Sequence, residues 1–535
     1  MGHSKKRRLM TGWPIYAPVA VLLALAAWSS NAYAQAPGGS VRGTVMTSLE
    51  DTVADAKVVL KSGKSGEAQS ASSDKNGEFH LSGLQPGLYD FSVNAEGFRS
   101  YSLHSIRVDE APVEMDVTLQ RAKDETFSLK DLEAAVADKP DDVVARFRLG
   151  QSYYAAGNLE KSLQQFGKIL ELRPDYVPAR LSLGQLALRH GAPQRALQYA
   201  DQVLKTKPKN VPAMLLKSSA NVRMAKFDES RQVLEQVLKN NPNQVEALLE
   251  LGVLDLLQKR FDEAELPFRR AYVLDSSNLR GILGVAEIRF LKNEPLKGVE
   301  VIANEVALEP QRGDLRKELA TIEFRVKLYD KAIADFQLSL DRYKDSPLEQ
   351  ADILARLGET YAATGDVPRA VETFTRAAQT APNNSVIKIR LAGLLERTGK
   401  KQEALAVYMA AFKIDPNNGI LMNNLAFLIA DTGGDLDAAL TMAQKARQQF
   451  PESSDILDTI GWIYLKKDLP DSANRVFADL VEKYPKNPLF HYHYAMALVK
   501  KSDKVAAQKQ LDLALENNLS KEDEATIKEL IRKLP

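Results

Sequence analysis

From about residue 128 onward the chain repeats one pattern of apolar and polar positions. Short runs carry apolar residues at i, i+3 and i+4, the spacing of one buried helix face, and turn residues separate them. Proline marks the period. Pro140, Pro174, Pro208 and Pro242 stand 34 residues apart, Ser276 takes the next mark and Pro310 the one after, followed by Pro347, Pro382, Pro416, Pro451 and Pro485. Two further signals keep phase with it. A Leu-Gly or Leu-Ala pair recurs at Leu149-Gly150, Leu183-Gly184, Leu251-Gly252, Leu357-Gly358, Leu391-Ala392 and Leu425-Ala426. About twelve residues on comes a small residue (Ser162, Ala196, Ala264, Ala370, Ala404), and four beyond that a large one, as at Phe166, Phe268, Phe374 and Tyr408. The pattern predicts pairs of short helices, small residues letting each pair approach and the large residue filling the space between repeats, with proline where the chain must turn. Glycine is expected at the turn inside each pair, as at Gly157 and Gly365.

Between Ser40 and Gln120 the period changes to two. Val58 and Leu60, Phe79 and Leu81, Tyr89, Phe91 and Val93, and Met115, Val117 and Leu119 alternate with polar neighbours. About seven short strands around a small sandwich core are expected, with Asn76-Gly77 closing a tight hairpin and Pro86-Gly87 turning the chain before Leu88.

The repeated pattern resembles the tetratricopeptide repeat (TPR) family, and the resemblance spans residues 128 to 519. The fold class it implies is mainly α: a superhelical α-α solenoid of about eleven units from 141 to 519. A leading half-repeat helix would occupy 128–140 and a capping helix 520–535. The unit at 277–310 departs most, through Gly298 and Glu305, and a local irregularity is expected there. The succession SSDKNGEF, LSGLQPGLYDFSV and AEGF resembles the carboxypeptidase regulatory-like domain. That implies a prealbumin- or immunoglobulin-like β-sandwich over 40–121, non-catalytic, serving as a spacer or as a carbohydrate-binding module; Tyr89, Phe98 and Tyr101 are strand aromatics, which stack on a sugar or, more often, fill the core.

Residues 1–34 add a different element. Lys5, Lys6, Arg7 and Arg8 precede an apolar run from Ile15 to Trp28, which closes on NAYA before Gln35. These are the parts of a secretory signal peptide, followed by a linker over 35–39. Its removal takes away four positive charges, leaving 67 basic against 70 acidic side chains, or −3. Such a balance argues against a nucleic-acid partner, whose phosphates need a basic surface. No later segment is apolar and long enough to be expected to cross a membrane. With no cysteine in the chain, disulfides, thiolate metal sites, a Cys nucleophile and a lipidated cysteine are all excluded.

Neither catalytic nor cofactor motifs appear: no HExxH pair, GxSxG elbow, phosphate-binding loop or GxGxxG fingerprint. Histidines 491 and 493 are two apart on an expected helix and face away from each other. TPR domains bind partners with first-helix side chains. Projecting those positions gives an apolar stretch in the early units, with Phe147, Gln151, Tyr154, Leu181, Leu188, Leu215 and Val222. A charged middle follows, with Lys317, Asp352, Arg356, Glu359 and Arg390, and an aromatic end with Asn423, Phe427, Trp462 and Tyr492. The candidate binding groove is Phe147, Gln151, Tyr154, Arg356, Arg390, Asn423, Phe427, Trp462 and Tyr492, suited to a protein or extended peptide with apolar anchors. No three repeats carry the Lys/Asn/Asn/Lys/Arg clamp of chaperone-binding relatives. The run from DPNNGILMNNLAFLIA to HYHYAMAL resembles the last repeats of exported bacterial TPR proteins associated with exopolysaccharide and envelope assembly. An exported, non-enzymatic scaffold is therefore expected, periplasmic in a Gram-negative bacterium or secreted, with a polysaccharide binder using the β-sandwich and the groove aromatics as the alternative. Intact mass of the exported chain should place its N-terminus at Gln35; a product retaining the 15–28 apolar run would instead be membrane-anchored.

Overall fold

The computed structural model describes residues 39–47, 49, 51–122, 127–517 and 521–533; the segment read as an export signal, 1–34, lies outside them. The chain divides into two compact units, 1–125 and 126–535.

Among the described residues the first unit holds eight strands: β1 (Gly39–Thr47), β2 (Lys57–Ser62), β3 (Ala68–Ser72), β4 (Glu78–Leu84), β5 (Gly87–Asn94), β6 (Tyr101–Val108), β7 (Val113–Glu114) and β8 (Val117–Leu119). In one sheet β4 runs antiparallel to β1, while β7 and β8 pair parallel along its other edge. The second sheet has the order β3-β2-β5-β6. Alternation dictates what faces inward. Val41, Val45, Phe79 and Leu81 from one sheet meet Val58, Leu60, Phe91 and Val93 from the other, all buried, with the Phe79 and Phe91 rings 6.1 Å apart.

One expectation changes here. Asn76-Gly77 does make a tight turn, with Gly77 at φ 77° and Asp74 Oδ1 accepting from the Asn76 and Glu78 amides at 2.8 and 2.9 Å. Yet it joins β3 to β4, which lie in different sheets, so it is a sheet-to-sheet crossing and not a hairpin. Local turn chemistry specifies the reversal and not the pairing partners. The strand aromatics divide. Tyr89 is buried, its hydroxyl donating to the Gln85 carbonyl at 2.8 Å. Tyr101 meets Phe91 edge-on, and Phe98 lies under the Arg121 guanidinium. Of the three strand aromatics, Tyr89 fills the core, while Phe98 and Tyr101 are half-buried.

The second unit consists, among the described residues, of eleven helix pairs, from Val143–Ala155 with Leu159–Leu172 to Pro488–Lys500 with Lys504–Leu515. Leu129–Asp138 precedes them and Lys521–Lys533 follows. The motifs that keep phase in the sequence touch in space. A Cβ built on Gly150 would sit 2.7 Å from the Phe166 ring, on Gly252 2.8 Å from Phe268, on Gly358 2.9 Å from Phe374 and on Gly461 2.7 Å from Phe477. The glycine of each first helix thus exists to admit the ring of the second. Ala196, Ala264, Ala332, Ala370, Ala404, Ala439, Ala473 and Ala507 are wholly buried at the small position. Gly298 fills that place in the fifth unit, 2.8 Å from the Phe290 ring by the same construction.

The turns between pairs share one geometry. Asp142 N–H donates to the Lys139 carbonyl, Asn210 to Lys207 and Asn384 to Ala381, with Pro140, Pro208 and Pro382 as the second residue of each turn. Proline is preset for that place. Pro347 is different. The Tyr343–Ser346 turn has Lys344 there, and Pro347 opens the next helix, Pro347–Ala363, of 17 residues where most of its counterparts have 13. The stretched proline spacing is thus one extra helical turn. The fifth unit is irregular at its entry, where Leu279 is already helical (φ −67°, ψ −10°) and the first helix has 12 residues. Inside the pairs, glycine proves dispensable: Ala225, Lys259, Asn293, Lys327, Asp468 and Ser502 take the left-handed place that Gly157 and Gly365 hold. Packing of the pair carries the cost of about 1–2 kcal/mol.

Ala370→Leu should force the Pro347–Ala363 and Val367–Thr380 helices apart and cost about 1–3 kcal/mol, read by thermal melting. The loss should spread to neighbouring repeats, since each is stabilised by the next.

Candidate functional site

Successive first helices touch one another at most steps of the array. Their shared face is where the projected groove positions fall, and the structure sorts them into three stretches.

In the early units the face is apolar and partly open. Leu181, Leu188, Leu215, Val222 and Leu283 are half-buried, and Val253 is 37% exposed. Gln151 is exposed, and Tyr154 is half-buried under the Arg189 guanidinium at 4.9 Å. Phe147 is not available. Its ring is buried against Phe166 and Tyr176, with centroids at 5.4 and 6.0 Å, because this position also faces the second helix.

The middle is a ladder of ion pairs, most of them joining each first helix to the next. Arg280 reaches Glu246 at 2.7 Å, Arg325 reaches Glu287 at 2.5 Å, and Lys317 reaches Glu349 at 2.9 Å. Arg356 pairs with Asp352 at 3.1 Å and Arg390 with Glu359. The two arginines projected as ligand contacts therefore already have carboxylate partners, Arg390 in the neighbouring repeat. Exposed pairs contribute about 0–1 kcal/mol each, so the ladder sets register between repeats more than it stabilises them. Burial pushes the Glu250 and Glu318 carboxyls above the ordinary carboxylate range, partly opposed by Arg280 and Lys317.

At the C-terminal end the aromatics close on themselves. Phe427 stacks on Trp462 with centroids 6.1 Å apart, and the His493 ring lies 4.5 Å from Trp462 and 5.8 Å from Phe477. His493 Nδ1 is 2.8 Å from Asp458 Oδ1, both residues buried. Trp462 is 7% exposed, its Nε1–H without an acceptor, and Asn423 Oδ1 is likewise buried without a donor. Tyr492 is half-buried beside His493 at 5.7 Å. Trp462 is thus core and not a groove contact: the helix position points it at the next repeat, whose His493 covers it.

One recurring device was not anticipated. Arg146, Arg316 and His491 occupy the fourth position of their first helices. Each bridges the preceding turn and its own second helix: Arg146 to the Pro140 carbonyl and Gln165, Arg316 to the Pro310 carbonyl and Asp335, His491 to the Pro485 carbonyl and Gln510. The signal was legible, since Arg146 and Arg316 are five periods apart and Gln165 and Asp335 keep the same spacing. His491 is therefore a structural clamp, held apart from His493.

Comparison with known proteins agrees with this geometry. The carboxypeptidase regulatory-like domain matches residues 40–120, and tetratricopeptide repeats match 128–177, 147–211, 215–278, 317–385, 361–426 and 455–487. The chain belongs to the tetratricopeptide repeat family, with a carboxypeptidase regulatory-like domain ahead of the repeats; the fold is a scaffold that in general mediates protein interaction. Solved structures similar to it include the APC/C hetero-tetramer Cut9–Hcn1, 13% identical, covering 76% of this chain and 92% of that one at TM-score 0.38. TTC0263, a thermophilic TPR protein of Thermus thermophilus, is 21% identical over 34% of this chain and 99% of its own at TM-score 0.30. YrrB, a TPR protein with an unusual peptide-binding site, is 18% identical over 38% and 99% at TM-score 0.32. No curated protein matches the chain. Among the described residues no helix is long and apolar enough to cross a membrane.

Trp462→Ala should therefore act on folding, removing a buried aromatic at a cost of about 3–5 kcal/mol. Denaturant melts should show the C-terminal repeats unfolding first, while Trp462→Phe, which also removes the unpaired donor, stays near wild type.

Proposed function

We propose that the chain is a non-enzymatic, exported scaffold that holds a protein or extended peptide against the first-helix face of its early repeats, in the service of cell-envelope or exopolysaccharide assembly. The observation that carries this is the open apolar stretch of Leu181, Leu188, Leu215, Val222 and Val253, next to a middle whose charges are already paired. Partly exposed aliphatic side chains in register along successive repeats offer anchor sites at repeat spacing, which an extended or helical peptide can meet. Export is supported by the basic, apolar and small-residue succession of residues 1–34. The polysaccharide reading has less support, because Tyr89 and Trp462, two of its candidate rings, are buried.

Affinity capture from an envelope extract, set beside a polysaccharide-binding assay, tests the proposal. Val253→Glu changes an exposed position and should leave the melt within about 0.5 kcal/mol of wild type. It should weaken capture of the partner at least about tenfold, as a charge buried against an apolar anchor does. Retention of polysaccharide without protein, or capture indifferent to Val253→Glu, would refute the early-repeat site.

A further inference from the structure

Because the repeats are superimposable in sequence, each is a control for the others. Two residues before the end of the first helix, several repeats carry a side chain that finds a polar partner at the fifth residue of the preceding helix. Tyr153 donates to Glu133 at 2.5 Å, Asp255 is paired with Arg231, and Arg289 meets both oxygens of Glu265 at 2.8 Å. In the sixth repeat the residue is Glu323, and its equivalent partner is Val299, which is buried and has no charge to offer. Glu323 is 3% exposed and its Oε2 has no hydrogen-bond partner. What it faces is a second carboxylate, Asp335, already held by Arg316 at 2.6 Å.

Two carboxyl groups in contact, one of them buried, are tolerated when one keeps its proton and donates it to the other. We propose that Glu323 and Asp335 hold such a proton between them, and that its loss to water as the medium rises from acid through neutrality loosens the sixth repeat, making the middle of the array a pH-sensitive joint. Burial first, and the Asp335 charge second, push the Glu323 carboxyl up to about 7, with Lys331 opposing them. Asp335 and Lys331 both belong to Tyr329–Leu340; among the described residues, neither Pro295–Leu308 nor Pro347–Ala363, the other helices packed on this one, adds a charge that bears on Glu323. A carboxyl raised above its unfolded value of 4.5 makes the folded state the better proton binder. Its contribution is complete below 4.5 and is lost as pH rises to about 7. Repeats are held by their neighbours alone, so a loosened sixth unit leaves five repeats on either side free to change their relative pitch.

Hydrogen exchange on the full chain tests this. Protection factors across 313–340 should fall roughly ten- to a hundredfold between pH 5 and pH 8, the size expected for one proton shifted by about two units. Glu323→Gln keeps the shape and cannot ionise, and should abolish that fall. Val299→Arg supplies the partner that residue 231 gives Asp255, and should shrink it. Protection in the wild-type chain that does not change with pH overturns the proposal, and so does a fall that persists undiminished in Glu323→Gln. Should Glu323→Gln fail to fold, an undiminished fall in Val299→Arg overturns it equally.

Discussion

The array depends on how closely the two helices of a repeat can approach. A glycine or alanine on the first helix admits a ring from the second, as Gly252 admits Phe268 and Gly358 admits Phe374. Where the ring is present, nearly all of it is buried, about 1.5–3 kcal/mol each relative to exposure. Because the same ring also reaches the next repeat, one contact fixes both the angle within a pair and the stacking of pairs. Gly284 shows this, lying against the same Phe268 from the following unit. With this contact in place the turns have little left to specify, which is why alanine, lysine and asparagine can sit where glycine would be easier.

The polar chemistry is laid over that frame and depends on it. Stacking in register brings residues about one period apart into reach, and the chain spends many of its charges there, linking Arg280 to Glu246 and Lys317 to Glu349. A first-helix face with its charges so engaged presents little unpaired charge to a partner. Only where neighbours are aliphatic does the face remain open, in the early repeats where the proposed partner site lies. The sixth repeat breaks the pattern, its carboxyl meeting an aliphatic partner and a second acid.

Fold class, the carboxypeptidase regulatory-like domain and the TPR repeats were legible in the sequence because each is encoded locally. Periodicity names the element, proline and small residues name the turns and contacts, and repetition multiplies a weak signal eleven times. Even the clamp of Arg146 and Arg316 was written at the repeat spacing. The candidate groove was less legible. Helix position assigns a side chain to a face, yet one face of a first helix serves both the groove and the seam with the next helix. Phe147 and Trp462 share that face with Gln151 and Tyr492, and the sequence treats them alike.

The sequence by itself determined which segments are strands and helices, how many residues separate their repeats, and which residues must be small, since these follow from periods along one chain. Tertiary structure alone decided which sheet each strand joins, which rings are covered and which charges find partners. Those outcomes depend on residues a repeat or more away: Asn76-Gly77 reverses the chain without choosing its neighbour, Trp462 is buried because His493 lies 4.5 Å from it, and Glu323 stands uncompensated because the residue at 299 is valine.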